Sequence, residues 1–163
     1  MEIERKWLVH GWPERLGAAR VLHMRQGYIS LRPTVRIREE KQKSGTAWVL
    51  CFKGPAGKDG LSREEIETEI EPRLFGRLEA LIGKPLIEKE QRRYALPDGL
   101  ELEVNHVDPG GTEEFWYAEV EFATEAAARA WKPGELAAYL FDEVTAKPGQ
   151  SMAAYWARTR GGE

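Results

Sequence analysis

Hydrophobic and polar positions alternate with a period of two along most of this chain, which is the pattern of β-strands with two unlike faces. Short stretches containing Pro and Gly, such as Gly54-Pro55 and Pro97-Asp98-Gly99, interrupt the alternation where turns between strands are expected. The alternation therefore predicts eight strands, at residues 2–9, 21–31, 34–41, 47–53, 61–71, 85–96, 100–107 and 117–123.

Three segments have a helical pattern instead. Pro72–Ile82 begins with a proline, which is favourable at the first helical position, and carries leucines on one face. Residues 125–131 follow Thr124, a residue type that caps helices, and residues 151–160 end in basic residues before a glycine. A shorter helical turn is predicted at residues 135–141. Because strands dominate and helices are few, the pattern predicts the α+β class.

The polar positions of these strands are almost all charged, and the charges are sorted by strand. Glu65, Glu67 and Glu69 share one face of their strand, whereas Arg36 and Arg38 share a face of another. A solvated outer face explains this alternation in any single strand. Such a face does not require full charges, however, and like charges on one face repel each other. Taken together, the strands favour a fold in which the charged faces converge.

This convergence predicts an eight-stranded antiparallel β-barrel with helices packed outside it and a charged interior. Unpaired buried charge is costly, so the two signs inside the barrel must neutralise each other or hold ions. Clustered carboxylates are oxygen ligands that suit Mg²⁺ or Mn²⁺, and clustered Arg and Lys side chains suit phosphate oxygens. The two sets together predict a site for a metal-bound polyphosphate.

Composition narrows the class of protein. The chain has 163 residues, with 24 Lys and Arg against 27 Asp and Glu, and the net charge of −3 argues against a general nucleic-acid partner. One cysteine, Cys51, allows no internal disulfide, so we expect a cytoplasmic protein and a core thiol. No apolar run is long enough for a membrane span. We expect a single domain over residues 1–163, and the sequence leaves a homodimer open.

At the start of the chain, Glu2-x-Glu4-x-Lys6 resembles the ExExK signature of the CYTH superfamily, also called the triphosphate tunnel metalloenzymes. A lone ExExK is weak evidence, but further segments resemble that family's strands in the same order. These segments are Gln26-Gly27-Tyr28-Ile29, Val35-Arg36-Ile37-Arg38, Phe52-Lys53-Gly54, Leu61-Ser62-Arg63, Ile87-Glu88-Lys89, Glu101-x-Glu103, Ala118-Glu119-Val120-Glu121-Phe122 and Glu143-Val144-Thr145. The ordered set is a specific resemblance, and it is most similar to the inorganic triphosphatase branch.

The resemblance implies an eight-stranded barrel, a triphosphate substrate and a divalent cation, Mg²⁺ or Mn²⁺. It implies that the metal ligands, direct or through water, are Glu2, Glu4, Glu103, Glu119 and Glu121. It implies that phosphate is held by Lys6, Arg36, Arg38, Lys53, Lys89 and Arg93. Glu65 and Glu67 are then the catalytic carboxylates, which orient the attacking water or a second metal.

Two positions depart from the family pattern. The family's Lys-x-Arg is replaced by Lys89-Glu-Gln-Arg92-Arg93, in which parity favours Arg93 on the Lys89 face but a bulge would present Arg92 instead. The basic residue expected after Glu143-Val144-Thr145 comes one position later, as Lys147, whose role in substrate binding is therefore an open prediction. Arg63 is equally compatible with the mouth of the site and with solvent.

The sequence thus predicts a metal-dependent hydrolase of inorganic triphosphate, with nucleoside triphosphates as further substrates. Two other enzymes share the expected scaffold, a class IV-type adenylyl cyclase and a thiamine triphosphatase. A polyphosphate-binding module without turnover is the non-enzymatic alternative, although a pure anion binder has no need for so many carboxylates.

Overall fold

A computed structural model describes residues 1–18 and 20–161, which form ten β-strands and three α-helices. The strands are β1 (Glu2–Leu8), β2 (Arg20–Leu31), β3 (Thr34–Gln42), β4 (Gly45–Lys53), β5 (Ser62–Arg63), β6 (Glu65–Glu69), β7 (Ile87–Ala95), β8 (Glu101–Val107), β9 (Phe115–Glu121) and β10 (Asp142–Glu143). The helices are α1 (Pro72–Ile82), α2 (Glu125–Ala130) and α3 (Met152–Arg160).

The strands form one mostly antiparallel sheet in the order β10-β1-β9-β8-β7-β2-β3-β4-β6, which curls into a nearly closed barrel. The two ends of the sheet meet through β5 and β6, which are consecutive in the chain and separated only by Glu64. β5 pairs with β1 at Glu2 and Arg63, whereas β6 pairs with β4 at Cys51 and Glu67. The bent segment that contains β5 and β6 therefore connects β1 to β4.

The apolar core lies outside the barrel wall, between the strands and the helices. One cluster, which includes Trp7, Val120 and Phe122, packs with Ala128 of α2. A second cluster joins Ile37 to Phe75 of α1 and to Trp156 of α3. Because hydrophobic burial is supplied by this outer layer, the interior of the barrel is left to polar side chains.

Capping residues set the helix ends. The side chains of Thr124 and Ser151 accept hydrogen bonds from the backbone N–H groups of Ala127 and Ala154, which are otherwise unpaired at the starts of α2 and α3. Gly83 ends α1 in the left-handed conformation, with φ of 67°.

The predicted fold class is confirmed: an α+β fold with an antiparallel barrel and helices outside. Each predicted strand is present, and the segment predicted as one strand at residues 61–71 is divided into β5 and β6. The helical turn predicted at residues 135–141 is only a 3₁₀-helix at Gly134–Leu136. β10 was not predicted, because a two-residue strand has no measurable periodicity. Among the described residues, the helices are too short or too polar to span a lipid bilayer.

Candidate active site

A cavity of about 540 Å³ occupies the barrel interior. It contains seven carboxylates and eight cationic side chains among the described residues that line it. All fourteen residues predicted as site residues belong to this lining: Glu2, Glu4, Lys6, Arg36, Arg38, Lys53, Glu65, Glu67, Lys89, Arg93, Glu103, Glu119, Glu121 and Lys147. The structure thus brings the whole predicted set together, while the role of each residue stays a prediction.

Alternate residues of each strand face the cavity and the outside, and this places the predicted residues inside the barrel. On β1, Glu4 and Lys6 face the cavity, and the intervening Arg5 faces outward. Arg5 forms a two-pronged ion pair with Glu143 of β10, and it donates further hydrogen bonds to the carbonyl groups of Ala128 and Trp131. A charged residue of the same strand therefore has a structural role on one face, and its neighbours line the cavity on the other.

Carboxylates gather on the side of the cavity formed by β1, β9 and β8. The antiparallel register places Glu4 opposite Glu121 and Glu103 opposite Glu119, so these four side chains are close neighbours. Such crowding of like charge in a buried space is unfavourable unless protons or cations compensate it.

The pKa values report this crowding. Burial, together with the charges of Glu119 and Glu2, raises the pKa of Glu4 well above its usual value. Burial raises the pKa of Glu103 to about 6 and also raises that of Glu121. Glu119 differs: burial opposes its ionisation, yet the Lys6 ammonium and a hydrogen bond from Glu4 lower its pKa. The four carboxyls share too little positive charge to be fully ionised together.

This donor set fits a divalent cation. Several carboxylate oxygens converge, the surroundings disfavour their simultaneous ionisation, and a hard cation such as Mg²⁺ or Mn²⁺ would relieve the repulsion among them.

Cationic side chains cover the other side of the cavity. Arg36 and Arg38 extend from β3, Lys53 from the end of β4, and Lys89 and Arg93 from β7. Lys53 Nζ lies 3.1 Å from a carboxylate oxygen of Glu2 and 3.4 Å from one of Glu65, so it connects the two charged sides.

Two of these cations are incompletely satisfied. Arg36 is 7% exposed, and its Nε has no hydrogen-bond partner in the described part of the chain. Lys89 is 5% exposed, and its Nζ contacts the Tyr117 hydroxyl at 2.9 Å. Burial lowers the pKa of Lys89 well below its usual value. Buried cationic groups with spare donors are suited to an anion that enters the cavity.

The predicted catalytic carboxylates lie on β6. Glu67 Oε2 is 4.0 Å from the guanidinium of Arg36, and burial and a hydrogen bond with Glu2 raise the pKa of Glu65. Cys51 is buried as expected, and it shares a face of β4 with Lys53. Its thiol and the carboxylates of Glu65 and Glu67 are all within 4.8 Å of one another, so they could hold one cation.

The structure shows where the residues of the two departures from the family pattern lie. Arg93 lines the cavity, with its Nε 2.7 Å from Gln91 Oε1 and 3.9 Å from a carboxylate oxygen of Glu103. Arg92 faces outward, where its guanidinium stacks on the Trp12 ring at 3.9 Å. Lys147 lines the cavity from the segment between β10 and α3, and it is exposed.

Tyr117, Gln91 and Asn105 are among the polar residues of the interior that were not predicted as site residues. Tyr117 lies between two lysines. Its hydroxyl accepts a hydrogen bond from Lys89, and the Nζ of Lys6 is 4.3 Å from the centre of the Tyr117 ring. Gln91 donates to Asn105 Oδ1 at 2.9 Å and accepts from Arg93. Parity could have indicated each of them, because Tyr117 precedes Glu119 by two positions and Gln91 separates Lys89 from Arg93. An uncharged side chain adds nothing to a charge pattern, so the pattern alone does not mark these residues as part of the site.

The fold and the cavity define a class: antiparallel β-barrels whose interior is charged and whose apolar core lies outside. Comparison with known proteins is consistent with that class. An inorganic triphosphatase from Nitrosomonas europaea is 35% identical over 132 residues, covering 81% of this chain and 83% of the relative. No family model matches the chain.

Solved structures agree. The crystal structure of an inorganic triphosphatase superposes with a TM-score of 0.60 at 28% identity, covering 94% of this chain and 95% of that one. A Hippeastrum protein, described as a putative adenylyl cyclase with a dominant triphosphatase activity, shares the fold with a TM-score of 0.63 at 16% identity, covering 100% and 97%. The chain belongs to the CYTH superfamily of triphosphate tunnel metalloenzymes, in its inorganic triphosphatase branch.

Proposed function

We propose that this protein is a triphosphatase that hydrolyses tripolyphosphate, and nucleoside triphosphates as further substrates, inside the charged barrel with Mg²⁺ or Mn²⁺. The observation that carries the proposal is the division of one cavity into a carboxylate side and a cationic side. A triphosphate and its metal need both sides at once, whereas either ligand alone needs only one.

The cationic side would bind and orient the phosphates. Each arginine guanidinium can donate hydrogen bonds to two phosphate oxygens, and that of Arg36, whose Nε is buried without a partner in the described chain, lines the cavity. Phosphoryl transfer depends mainly on positioning and on stabilising charge in the transition state. Lys53 and Lys89 would add positive charge close to the phosphates.

The acidic side would hold the metal. The residues proposed as its ligands are Glu2, Glu4, Glu103, Glu119 and Glu121. When bound, the cation would draw negative charge from the phosphate oxygens and so favour attack by water.

Glu67 and Glu65 would position the attacking water and accept its proton. A new bond forms between the water oxygen and the terminal phosphorus, and one P–O–P bond breaks. The products are phosphate and pyrophosphate. The raised pKa of Glu65 suits a carboxyl that takes up a proton and later releases it.

The test is release of phosphate from tripolyphosphate, ATP, thiamine triphosphate and pyrophosphate, each with Mg²⁺, Mn²⁺ or EDTA. We expect turnover of tripolyphosphate that requires a divalent cation. No phosphate under any condition would refute the proposal, and cyclic AMP formed from ATP would favour the cyclase. Tight binding of polyphosphate without turnover would favour a binding module.

Neighbouring arginines provide a matched pair of variants. Arg93→Ala removes a cation from the cavity and should lower kcat/KM for tripolyphosphate by roughly 10²–10³, as for loss of one preorganised charge contact. Arg92→Ala removes the adjacent guanidinium on the outer face and should change kcat/KM less than about threefold. Equal losses in both variants would show that Arg93 acts only through the fold.

A further inference from the structure

One corner of the barrel interior combines a thiol with two carboxylates. Cys51 of β4 is directly opposite Glu67 of β6, and Glu65 lies two residues earlier on the same strand face. The sulfur of Cys51 and one oxygen of each carboxylate all lie within 4.8 Å of one another. We call these three residues the thiol corner. Both carboxylates line the cavity, so an ion in the cavity can reach the corner.

The neighbouring cations leave both carboxylates available to a metal. The Arg36 guanidinium is 4.0 Å from Glu67 Oε2, which is beyond hydrogen-bond distance. Lys53 Nζ is 3.4 Å from Glu65, but it is closer to Glu2, at 3.1 Å, and can keep that partner. A thiolate and two carboxylates carry three negative charges. A divalent cation together with the Arg36 guanidinium would balance them.

Arg36 is a second, independent indication of a ligand at this position. It is opposite Cys51 in the pairing of β3 with β4, so its side chain shares the strand face of the thiol. Arg36 is buried, and its Nε has no hydrogen-bond partner in the described chain. A buried donor without a partner is unfavourable, and the oxygen of a metal-bound water would satisfy it. Three protein ligands and one water form the tetrahedral set that is typical of Zn²⁺ at an open site.

The thiol determines which metal fits this corner. Mg²⁺ and Mn²⁺ prefer oxygen ligands, whereas a thiolate sulfur favours softer ions such as Zn²⁺. The acidic side of the cavity offers carboxylate oxygens, and the thiol corner adds the sulfur of Cys51. The two places in the barrel therefore differ in the ion that each would select.

We propose that the thiol corner binds one Zn²⁺ through Cys51, Glu65 and Glu67 and that this ion inhibits hydrolysis. The inhibition rests on the proposed function, because zinc would withdraw the two carboxylates that position the attacking water. The zinc site itself does not depend on that function. When zinc binds, a Zn–S bond forms and the thiol proton passes to solvent, with no change of oxidation state.

Co²⁺ is the probe for the site, because it accepts the same tetrahedral ligands and its bond to a thiolate gives a near-ultraviolet charge-transfer band. The chain has a single cysteine, so the band would report Cys51 alone. With Mg²⁺ present to occupy the acidic side, we expect a band that saturates at one Co²⁺ per chain and disappears when Zn²⁺ is added. A wild-type protein without this band, or with a band that Zn²⁺ leaves unchanged, would overturn the zinc site.

Two substitutions of Cys51 test its part in the site. Cys51→Ser keeps the size of the side chain, and Cys51→Val keeps an apolar group at this buried position. Both should lose the Co²⁺ band, and a folded variant of either kind is sufficient for the test. A band that remains in a folded variant would show that its source is not a thiolate of this chain.

Neighbouring carboxylates of β6 provide a matched pair. Glu67→Gln removes a proposed ligand and should weaken Co²⁺ binding by roughly 10–100-fold, at least as much as loss of a group that only supports a ligand. Glu69→Gln removes the same charge from the next exposed position of that strand face, and it should leave the affinity within about twofold. Equal losses in the two variants would show that net charge attracts the ion and would refute the ligand assignment.

Turnover tests the inhibition separately from the site. With tripolyphosphate and Mg²⁺, a buffered concentration of free Zn²⁺ should inhibit the wild type. The inhibition constant should rise at least about tenfold in Cys51→Ser, when each protein is compared with its own zinc-free rate. Equal inhibition of both proteins, or faster turnover with zinc, would refute inhibition through the thiol corner. If the wild type hydrolyses no tripolyphosphate, the proposed function fails, and the Co²⁺ band still confirms or refutes the zinc site.

Discussion

Adjacent residues of one strand lie on opposite sides of the barrel wall, one in the interior and one outside. The function of a charged residue therefore depends on which of the two strand faces it occupies. Arg93 lies inside next to Glu103, whereas Arg92 lies outside and stacks on Trp12. The inner guanidinium is held by Gln91, an uncharged residue of the same face. Neutral amides therefore support the cationic side of the site from within the strand that carries it.

Gln91 is expected to act as a positioning residue through Arg93. Gln91→Met removes the acceptor for Arg93 Nε and leaves Asn105 Oδ1 without its donor. We expect KM for tripolyphosphate to rise several-fold with a smaller change in kcat, because the Arg93 guanidinium is no longer held in a fixed orientation for binding phosphate.

A double-mutant cycle checks this role. If Gln91 works through Arg93, the effect of Gln91→Met should nearly vanish in an Arg93→Met background. Additive effects of the two substitutions would show that Gln91 contributes independently, for example through stability alone.

The pKa of Glu103 predicts how stability depends on pH in the metal-free protein. Its folded value of about 6 exceeds the ordinary 4.5, so the folded state binds the proton more tightly than the unfolded state. This carboxyl therefore lowers stability progressively as pH rises from about 4.5 through 6, by about 2 kcal/mol for a shift of this size.

Glu103→Gln removes that penalty. In EDTA we expect the variant to be more stable than the wild type by up to about 2 kcal/mol at pH 8, with no gain at pH 4. Urea unfolding at the two pH values measures the difference. Glu88→Gln, on the exposed side of β7, is the control and should change stability by less than about 0.5 kcal/mol at either pH. A gain for Glu103→Gln that is independent of pH would contradict the explanation.

At the scale of strands and helices, period-two alternation was sufficient to predict the eight strand segments and which charged residues share a strand face, and the family resemblance then selected the site residues among them. It could not predict how the barrel closes, because the bend at Glu64 and the two-residue β10 have no period of their own. It also gave no information about the segment from Lys147 to Ser151, which lines the cavity without regular structure. Positions fixed by a repeat were therefore predictable, and positions fixed by tertiary contacts were not.

The outer layer packs so closely on the barrel wall at Gly27 of β2 that a larger side chain there should destabilise the fold. A Cβ at Gly27 would lie 2.5 Å from Leu86 Cδ2, 3.3 Å from Ile82 and 3.4 Å from Trp156, because the outer layer approaches this strand closely. Gly27→Val should therefore destabilise the fold by about 1–3 kcal/mol through overpacking.

Gly76, in the interior of α1, provides the contrast, because a Cβ there would meet nothing within 4 Å. Gly76→Ala should stabilise the protein by about 0.5–1 kcal/mol by reducing the entropy of the unfolded chain. Thermal unfolding of both variants measures the pair. A Gly27→Val protein as stable as the wild type would show that the helices can move away from β2.

Viewed as a whole, the molecule is a barrel with its apolar core on the outside and its charges inside. Hydrophobic burial between helices and strands stabilises the fold, and this leaves the interior free to keep charges that destabilise it. The crowded carboxylates of the acidic side are the clearest case, because burial raises the pKa values of Glu4, Glu103 and Glu121. A cation bound there should therefore stabilise the whole fold.

Calcium should separate this stabilisation from turnover. Ca²⁺ accepts carboxylate oxygens but prefers looser and higher coordination than Mg²⁺, so it can occupy the acidic side without holding a triphosphate for reaction. At pH 8, at about 100 times its dissociation constant, either ion should stabilise the folded protein by about 2.7 kcal/mol and raise Tm. Added Ca²⁺ should nevertheless suppress hydrolysis of tripolyphosphate in Mg²⁺. In the Glu4→Gln variant, the rise in Tm and the inhibition by Ca²⁺ should both weaken, because both require the same carboxylates. The catalytic metal would have to lie elsewhere if inhibition by Ca²⁺ persisted in Glu4→Gln. The same conclusion would follow if Ca²⁺ left turnover by the wild type unchanged.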